Sequence, residues 1–378
     1  MTYAGGRTIL DADSHIMELP GWLEGFADPG ERDLLRPLYL GGAGALADKA
    51  VERAQARKGD AEAAAKLEEA VLKAKGWDGL GAFDPAERTR ALDLLGFDQQ
   101  FVFATFAFGQ FLGGTPDVVR AGVRAHNRGI AEWCADDPRL LAVGYAHLDD
   151  PEAALEMVDE AVAFGCDAIH LPTSNPRDKA PTHPDFDPMW ARIAASGLPV
   201  VLHLGGQGRM IHKRWHDNGR PVTDFLGGGE NVRARDVLMM HIAPELFVST
   251  MIFDGIFDAH PELMVGVIEQ GAEWVVPWLP RLDRTQKTFR KTEPTIDGLQ
   301  LEKASDYVRR NVRVTPFVGE RVGWMIEQAG PEIFLFSSDF PHPEGSRDPI
   351  GHFEATMDGV SDADRDAFYA GNFATLVG

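Results

Sequence analysis

Cysteine is nearly absent. Only Cys134 and Cys166 occur in 378 residues. That excludes a disulfide framework and a Cys-rich zinc module, and it is the usage expected in a reducing cytoplasm. Positive charge is also short. Lys and Arg number 37 against 58 Asp and Glu, a formal net charge of −21. A field of that sign repels a phosphate backbone, so nucleic acid is not an expected partner. An anionic small substrate is still admitted wherever a metal or a local arginine reverses the sign. No apolar run approaches 18 residues, so no transmembrane helix is expected. The opening MTYAGGRTILDADSH has no apolar stretch of signal-peptide length. Disorder and fibrous repeats are also excluded, because 44% hydrophobic and 25% charged residues is a globular composition.

Eight short β-rich runs are present, bounded by turn residues. They are Thr8–His15, Gln100–Thr105, Leu140–Leu148, Asp167–Thr173, Pro199–Gly205, Leu263–Gln270, a weaker Val312–Val318, and Ile333–Phe340. Helical patterns lie between them. Pro151–Phe164 starts with Pro after two Asp and stops before Gly165, and Asp187–Ser196 and Glu320–Gln328 are punctuated in the same way. Eight strands alternating with helices predict parallel βα units closing into a TIM (β/α)8 barrel. The runner-up, a doubly wound open sheet, wants a glycine-rich turn after the first strand, and DADSHIME has none. Residues 1–378 read as one barrel domain. Residues 46–77, rich in Ala, Lys and Glu, are a helical insertion in the first βα loop, broken near Gly59. They read either as a solvated hairpin or as a lid or oligomer contact. A homodimer is expected.

Chemistry gathers at the strand ends. Asp13 and His15 are two apart and share one face of the first strand. His203 ends the fifth strand in VVLHLGG, where an imidazole is costly unless satisfied. Asp339 follows the apolar IFLFSS of the eighth, so it is paired or binds a metal. Each has a bland alternative: a chance D-x-H, a core histidine, a buried ion pair. Together these four place metal-type donors on one barrel face, strands one and eight being neighbours, and predict a divalent-metal site.

LDADSHIMELP, FDPAERTRALDLLGFDQQFVFAT, VVLHLGG, GIFDAHPELMVGVIEQGAEWVVPWLPRLDR, SSDFPHPEG and GNFATLVG carry a resemblance. The chain resembles the amidohydrolase superfamily, in the branch of metal-dependent hydrolases like aminocarboxymuconate-semialdehyde decarboxylase. The likeness runs from about residue 8 to the C-terminus, outside the insertion. It implies one divalent metal on Asp13, His15, His203 and Asp339, with Asp13 where many relatives have His or Glu. Mixed nitrogen and oxygen ligation suits Zn²⁺ first, with Mn²⁺ and Fe²⁺ as alternatives and room for a second metal. Relatives that decarboxylate carry a histidine in an H-x-G at the end of the sixth strand. This chain has Glu269-Gln270-Gly271 there. Glu269 then reads as a base beside a metal-bound water, or as a partner that orients a ligand histidine.

Other candidates are secondary. His241 opens a helical stretch and reads as an acid or base. His170 and His147 end strands four and three, where each is either a satisfied core residue, a substrate contact or, with His241, part of a second metal site. His342 lies three residues after Asp339, beside substrate or supporting that carboxylate. His126, His260 and His352 read as ordinary helix residues, and Met239, Met240 and Met251 as core. The loop after strand five holds Arg209, His212, Lys213, Arg214, Trp215 and His216. It reads as solvated, or as a flap in which Arg214 holds a carboxylate and Trp215 covers a ring. Three functions follow. The first is a metal-dependent hydrolase of a small carboxylated substrate's amide, ester, thioester or activated C–C bond, with Asp339, Glu269 and His241 moving protons. The second is a non-oxidative decarboxylase of an aromatic or unsaturated acid. The third is a metal-stabilised binding protein. Ionised glutamate at position 269 tilts the reading to hydrolysis, because it cannot give a proton to carbon.

Overall fold

The first strand forms in two pieces, β1 (Leu10–Asp11) and β2 (His15–Ile16), and both pair with β3 (Gln99–Ala104). This is a computed structural model, and it describes residues 2–173, 177–204, 213–215, 217–220 and 234–378. From β3 the sheet continues through β4 (Leu140–Tyr145), β5 (Ala168–His170), β6 (Val200–His203), β7 (Val265–Ile268) and β8 (Val312–Val314). Neighbours follow chain order and every pair is parallel. The expected eighth strand is not a regular one. Segment 333–340 makes only bridges, Val314 with Phe334 and Ser14 with Phe340. It nevertheless closes the ring. On one side Val314 N–H donates to Ile333 O (2.8 Å) and Leu335 N–H to Val314 O (3.0 Å). On the other, Ala12 N–H donates to Phe336 O (3.0 Å), Asp339 N–H to Asp13 O (3.0 Å) and His15 N–H to Phe340 O (2.8 Å). The architecture is the TIM barrel.

The break in the first strand has a consequence for the site. Leu10 and Ala12 belong to the cluster that fills the barrel, with Phe101, Phe103, Val143, Ala168, Val201, Ile268 and Leu335. An unbroken strand would then send Asp13 outward, because successive side chains alternate. The irregular stretch between β1 and β2 resets the alternation and keeps Asp13 and His15 together. Phe373 and Leu376, from helix Asn372–Val377, join the same cluster and cap its end.

Helix boundaries follow the sequence signals. In helix Pro151–Phe164 the Asp150 carboxylate accepts from Ala153 N–H, Pro stands in the first turn, and Gly165 ends it at φ 88°. The insertion is two helices, Gly44–Arg57 and Ala61–Glu69, the second capped by Asp60. Ala47 and Ala50 share a cluster with Met17, Trp77 and Phe106, which ties the insertion to the residues following β2 and β3. Arg57–Glu87 and Arg90–Glu68 pairs join it to helix Pro85–Leu95. One further expectation needs correction. Met239 is 36% exposed, whereas Met240 and Met251 are core. Ala234–Phe253 is long and apolar enough to cross a membrane by length and composition, with mean hydropathy 1.4. It is two helices, Ala234–Met239 and Ile242–Phe253, and includes Arg235, Asp236 and Glu245.

The plug gives a stability prediction. Phe373 is fully buried, so Phe373→Ala should cost about 3–5 kcal/mol in urea unfolding. Leu46→Ala, at a 58% exposed position, should stay within about 0.5 kcal/mol. Equal effects would remove Phe373 from the core.

Candidate metal centre

Strand ends and the closing segment with the residues after it bring seven donor side chains together. Asp13, His15, His203 and Glu269 have donor atoms within 4.8 Å of one another, and so do His15, Asp339 and His342. Glu269, Asp339, His342 and the exposed Glu344 form a third such group. Asp13 Oδ1 lies 3.2 Å from His15 Nε2 and 3.2 Å from His203 Nε2. His203 Nε2 is 3.4 Å from Glu269 Oε2, and His15 Nε2 is 3.6 Å from Asp339 Oδ1. Ligands at bonds of about 2.1 Å stand about 3.4 Å apart on a tetrahedron and about 3.0 Å apart on an octahedron. The spacing therefore fits one shared cation.

The tautomers give a second test of fit. His203 Nδ1 contacts the Leu204 carbonyl, so it is the protonated nitrogen. In the neutral ring the Nε2 lone pair would then face the carboxylates of Asp13 and Glu269. Thr105 Oγ1 gives its single proton to the Ile16 carbonyl (2.7 Å) and so accepts from His342 Nε2–H (2.9 Å). His342 Nδ1 then faces Asp339 Oδ1 at 2.9 Å. Lone pairs pointed at carboxylate oxygens in a buried site are repulsive unless a cation stands between them. A divalent metal at Asp13, His15, His203 and Asp339 would supply it, and His203 Nδ1 is held by the Leu204 carbonyl in the manner of metal-ligating histidines. The pair Asp339 and His342 needs at least a proton.

Burial acts on these groups in opposite ways. It would raise Asp13, but positive charge and N–H donation from a protonated His203 or His15 outweigh it and hold the carboxyl well below the usual range, as a cation in the same place would. Burial, with the His342 ring behind it, pushes His15 down to about 3. Burial raises Asp339 to about 6 against the pull of His342. Rings pack around the donors: Phe103 stacks on His203 with centroids 4.0 Å apart, and His342 on His15 at 3.8 Å. Glu18 fixes Thr105 from behind. Its buried carboxylate accepts from the N–H groups of Thr105, Phe106 and Ala107 at 3.0–3.2 Å.

The remaining candidates fall elsewhere. His170 ends β5 fully buried among Phe103, Phe108, Tyr145 and His203, its ring 5.9 Å from that of His203. Burial holds it well below the usual histidine range. Among the described residues it is in none of the donor groups. Neither is His241, which precedes helix Ile242–Phe253 and stacks 6.3 Å from Trp274. His147 bonds Tyr145 Oη (3.1 Å) and pairs with Asp149 (3.3 Å). Arg214 and Trp215 lie exposed on the turn Lys213–Trp215. Arg209, His212 and His216 lie outside the described residues. His126 is buried with a ring nitrogen 3.3 Å from Val143 O, which is more than an ordinary helix position. Thr105 and Glu18 were missed by sequence reasoning. Their only signal was position, Thr105 at the end of a strand and Glu18 three residues past His15.

Comparison with known proteins matches the architecture. The protein is similar to an amidohydrolase from Mycobacterium avium subsp. paratuberculosis K-10 at 22% identity and a TM-score of 0.71, covering 99% of this chain and 100% of that one. It is similar to 5-carboxyvanillate decarboxylase of Novosphingobium aromaticivorans, solved with bound manganese and 3-methoxy-4-hydroxy-5-nitrobenzoic acid. There the identity is 17% and the TM-score 0.65, over 100% and 99% of the two chains. A 2,6-dihydroxybenzoate decarboxylase from Rhizobium aligns at 18% identity and a TM-score of 0.62, over 100% and 99%. No curated protein matches the sequence. The family model described as Amidohydrolase matches residues 11–378, so nearly the whole barrel is covered, and the chain belongs to the amidohydrolase family.

Proposed function

We propose that this chain is a metal-dependent, non-oxidative decarboxylase of a hydroxylated aromatic carboxylic acid. The observation that carries the reading is the 2.9 Å contact between Asp339 Oδ1 and His342 Nδ1. With His342 Nε2–H committed to Thr105, that contact sets a carboxyl and an imidazole nitrogen, each able to carry a proton, beside the donor cluster. Decarboxylation needs such a proton. The bond from ring carbon to carboxyl carbon breaks, its electron pair stays on the ring carbon, the proton joins that carbon, and CO₂ leaves. The objection that Glu269 cannot protonate carbon is met by a different pair of residues. The decarboxylase activity of similar structures and the ring-rich surround of Phe103, Phe108 and Tyr145 support the same reading.

Asp13, His15, His203 and Asp339 would hold the metal. When bound, it supplies positive charge that holds the substrate's carboxylate and neighbouring hydroxyl. An oxygen-rich mixed donor set suits Mn²⁺ as well as Zn²⁺, and the manganese bound in a similar structure favours Mn²⁺. Asp339 and His342 hold and deliver the proton. Glu269 Oε2, 3.4 Å from His203 Nε2, would add a further carboxylate facing the same cation. Hydrolysis is the second reading, favoured by Glu269 itself, a carboxylate at the donor cluster able to take a proton from water.

Three outcomes are expected. Manganese-loaded protein offered a panel of hydroxybenzoates beside ester, amide and lactone panels should release CO₂ from the first and leave the others intact; turnover of the second group alone would replace this reading with hydrolysis. Asp339→Asn should lower kcat by about 10²–10⁴-fold, and His342→Gln by about 10²-fold with metal retained. By elemental analysis, His203→Ala should weaken metal binding by more than about 100-fold, and a variant that keeps its full metal content would remove His203 from the ligand set.

A further inference from the structure

Two buried ionisable side chains that the proposed reaction does not use lie behind the donor cluster, between the barrel wall and helix Pro85–Leu95. Arg88 is fully buried. Its Nε–H donates to Gly81 O (3.0 Å) and its Nη1 to Gln100 Oε1 (3.1 Å) and Ser14 Oγ (3.3 Å). Its Nη2 donates to the backbone carbonyl of His15. The rings of Trp133 and Phe340 lie 5.4 and 5.0 Å from the guanidinium. Asp11 is equally buried. Its Oδ1 accepts from Ser338 N–H (2.8 Å) and Asp13 N–H (3.3 Å). Its Oδ2 accepts from Ser338 Oγ (2.5 Å) and Gln100 Nε2 (2.6 Å). Gln100 thus links the two side chains, its oxygen to Arg88 and its nitrogen to Asp11.

The network touches the backbone of the proposed ligands where they join. His15 is held through its own carbonyl, Asp13 through its own N–H, and Asp339 through the residue before it. A buried guanidinium and carboxylate are a costly way to pack a helix on a strand, since apolar side chains of similar volume often do as well. What apolar packing cannot do is fix the rotation of peptide groups that set side-chain direction. We infer that Arg88 and Asp11 are positioning residues that fix Asp13, His15 and Asp339 in metal-binding geometry across the barrel's closing seam. This rests on reading the donor cluster as a metal centre.

The test measures Mn²⁺ binding to metal-stripped protein by titration calorimetry, and the Mn²⁺ electron paramagnetic resonance line shape, in the full chain. Asp11→Asn keeps shape while removing the charge and one acceptor. Arg88→Lys keeps charge but cannot reach all four acceptors. Each should raise the Mn²⁺ dissociation constant about 10–100-fold, the range seen when outer partners of ligands are lost. The line shape should broaden while the far-ultraviolet circular dichroism stays that of the parent. Ser338→Ala, which deletes one hydroxyl and no charge, should weaken binding severalfold and carries the test if the charged variants do not fold. A parent that binds Mn²⁺ alongside folded variants that bind it equally, with an unchanged line shape, overturns the positioning role alone. A parent that takes up no Mn²⁺ overturns the metal reading and this inference with it.

Discussion

Three backbone hydrogen bonds at the barrel's closing seam are what the rest of the site depends on. Ala12 to Phe336, Asp339 to Asp13 and His15 to Phe340 join the two ends of the fold. Asp13, His15 and Asp339 are far apart in sequence and meet only through this seam. Segment 333–340 has no regular ladder of its own, so its register against the first strand is set at few points. That is why buried polar groups gather there. A strand held by a long ladder needs no help from side chains, whereas this one draws on the Asp11 carboxylate at both Ser338 N–H and Ser338 Oγ.

Electrostatics fixes the kind of guest the seam can hold. The chain carries a net charge of −21, and the mouth concentrates more of the same sign in Asp13, Glu269, Asp339 and Glu344. Imidazoles alone do not balance these groups, because burial disfavours their charged forms, as at His15. A divalent cation relieves both problems at once. It would neutralise carboxylates and take up the lone pairs of His15 and His203. It also makes an anionic substrate compatible with an acidic protein, since the local field at the metal opposes the global one.

Much of this was legible in the sequence. Period and punctuation gave eight strand positions and the helices between them, because apolar runs and capping residues are local signals. The four strand-end donors were legible because a carboxylate or imidazole after a buried run demands a partner. What escaped was non-local. The break between β1 and β2 depends on pairing with β3 and segment 333–340, and nothing in LDADSHI marks it. Thr105 looks like an ordinary strand end until His342 arrives beside it. Glu18 looks like a surface residue until three backbone N–H groups converge on it. Glu269 stands where relatives have a histidine, and it does lie at the donor cluster, but the 2.9 Å approach of His342 to Asp339 on another strand end has no local signal. The flap reading of the loop after β6 rests mainly on residues outside those described.

Glu269 and Asp339 have one more property in common. They are the non-glycine residues with positive φ among those described, at 55° and 51°. Left-handed backbone is tolerated by Asp and Asn, less easily by Glu, and poorly by β-branched side chains. At these two positions, then, conformation filters sequence before chemistry does. A lineage drifting toward a new reaction can pass through Asn or Gly at 339, or His, Asn or Gly at 269, without disturbing the turn. Valine, isoleucine or threonine would distort the backbone that aims the neighbouring donors. The routes by which this barrel can acquire other activities are accordingly narrowed at the two sites where its chemistry is most exposed to change.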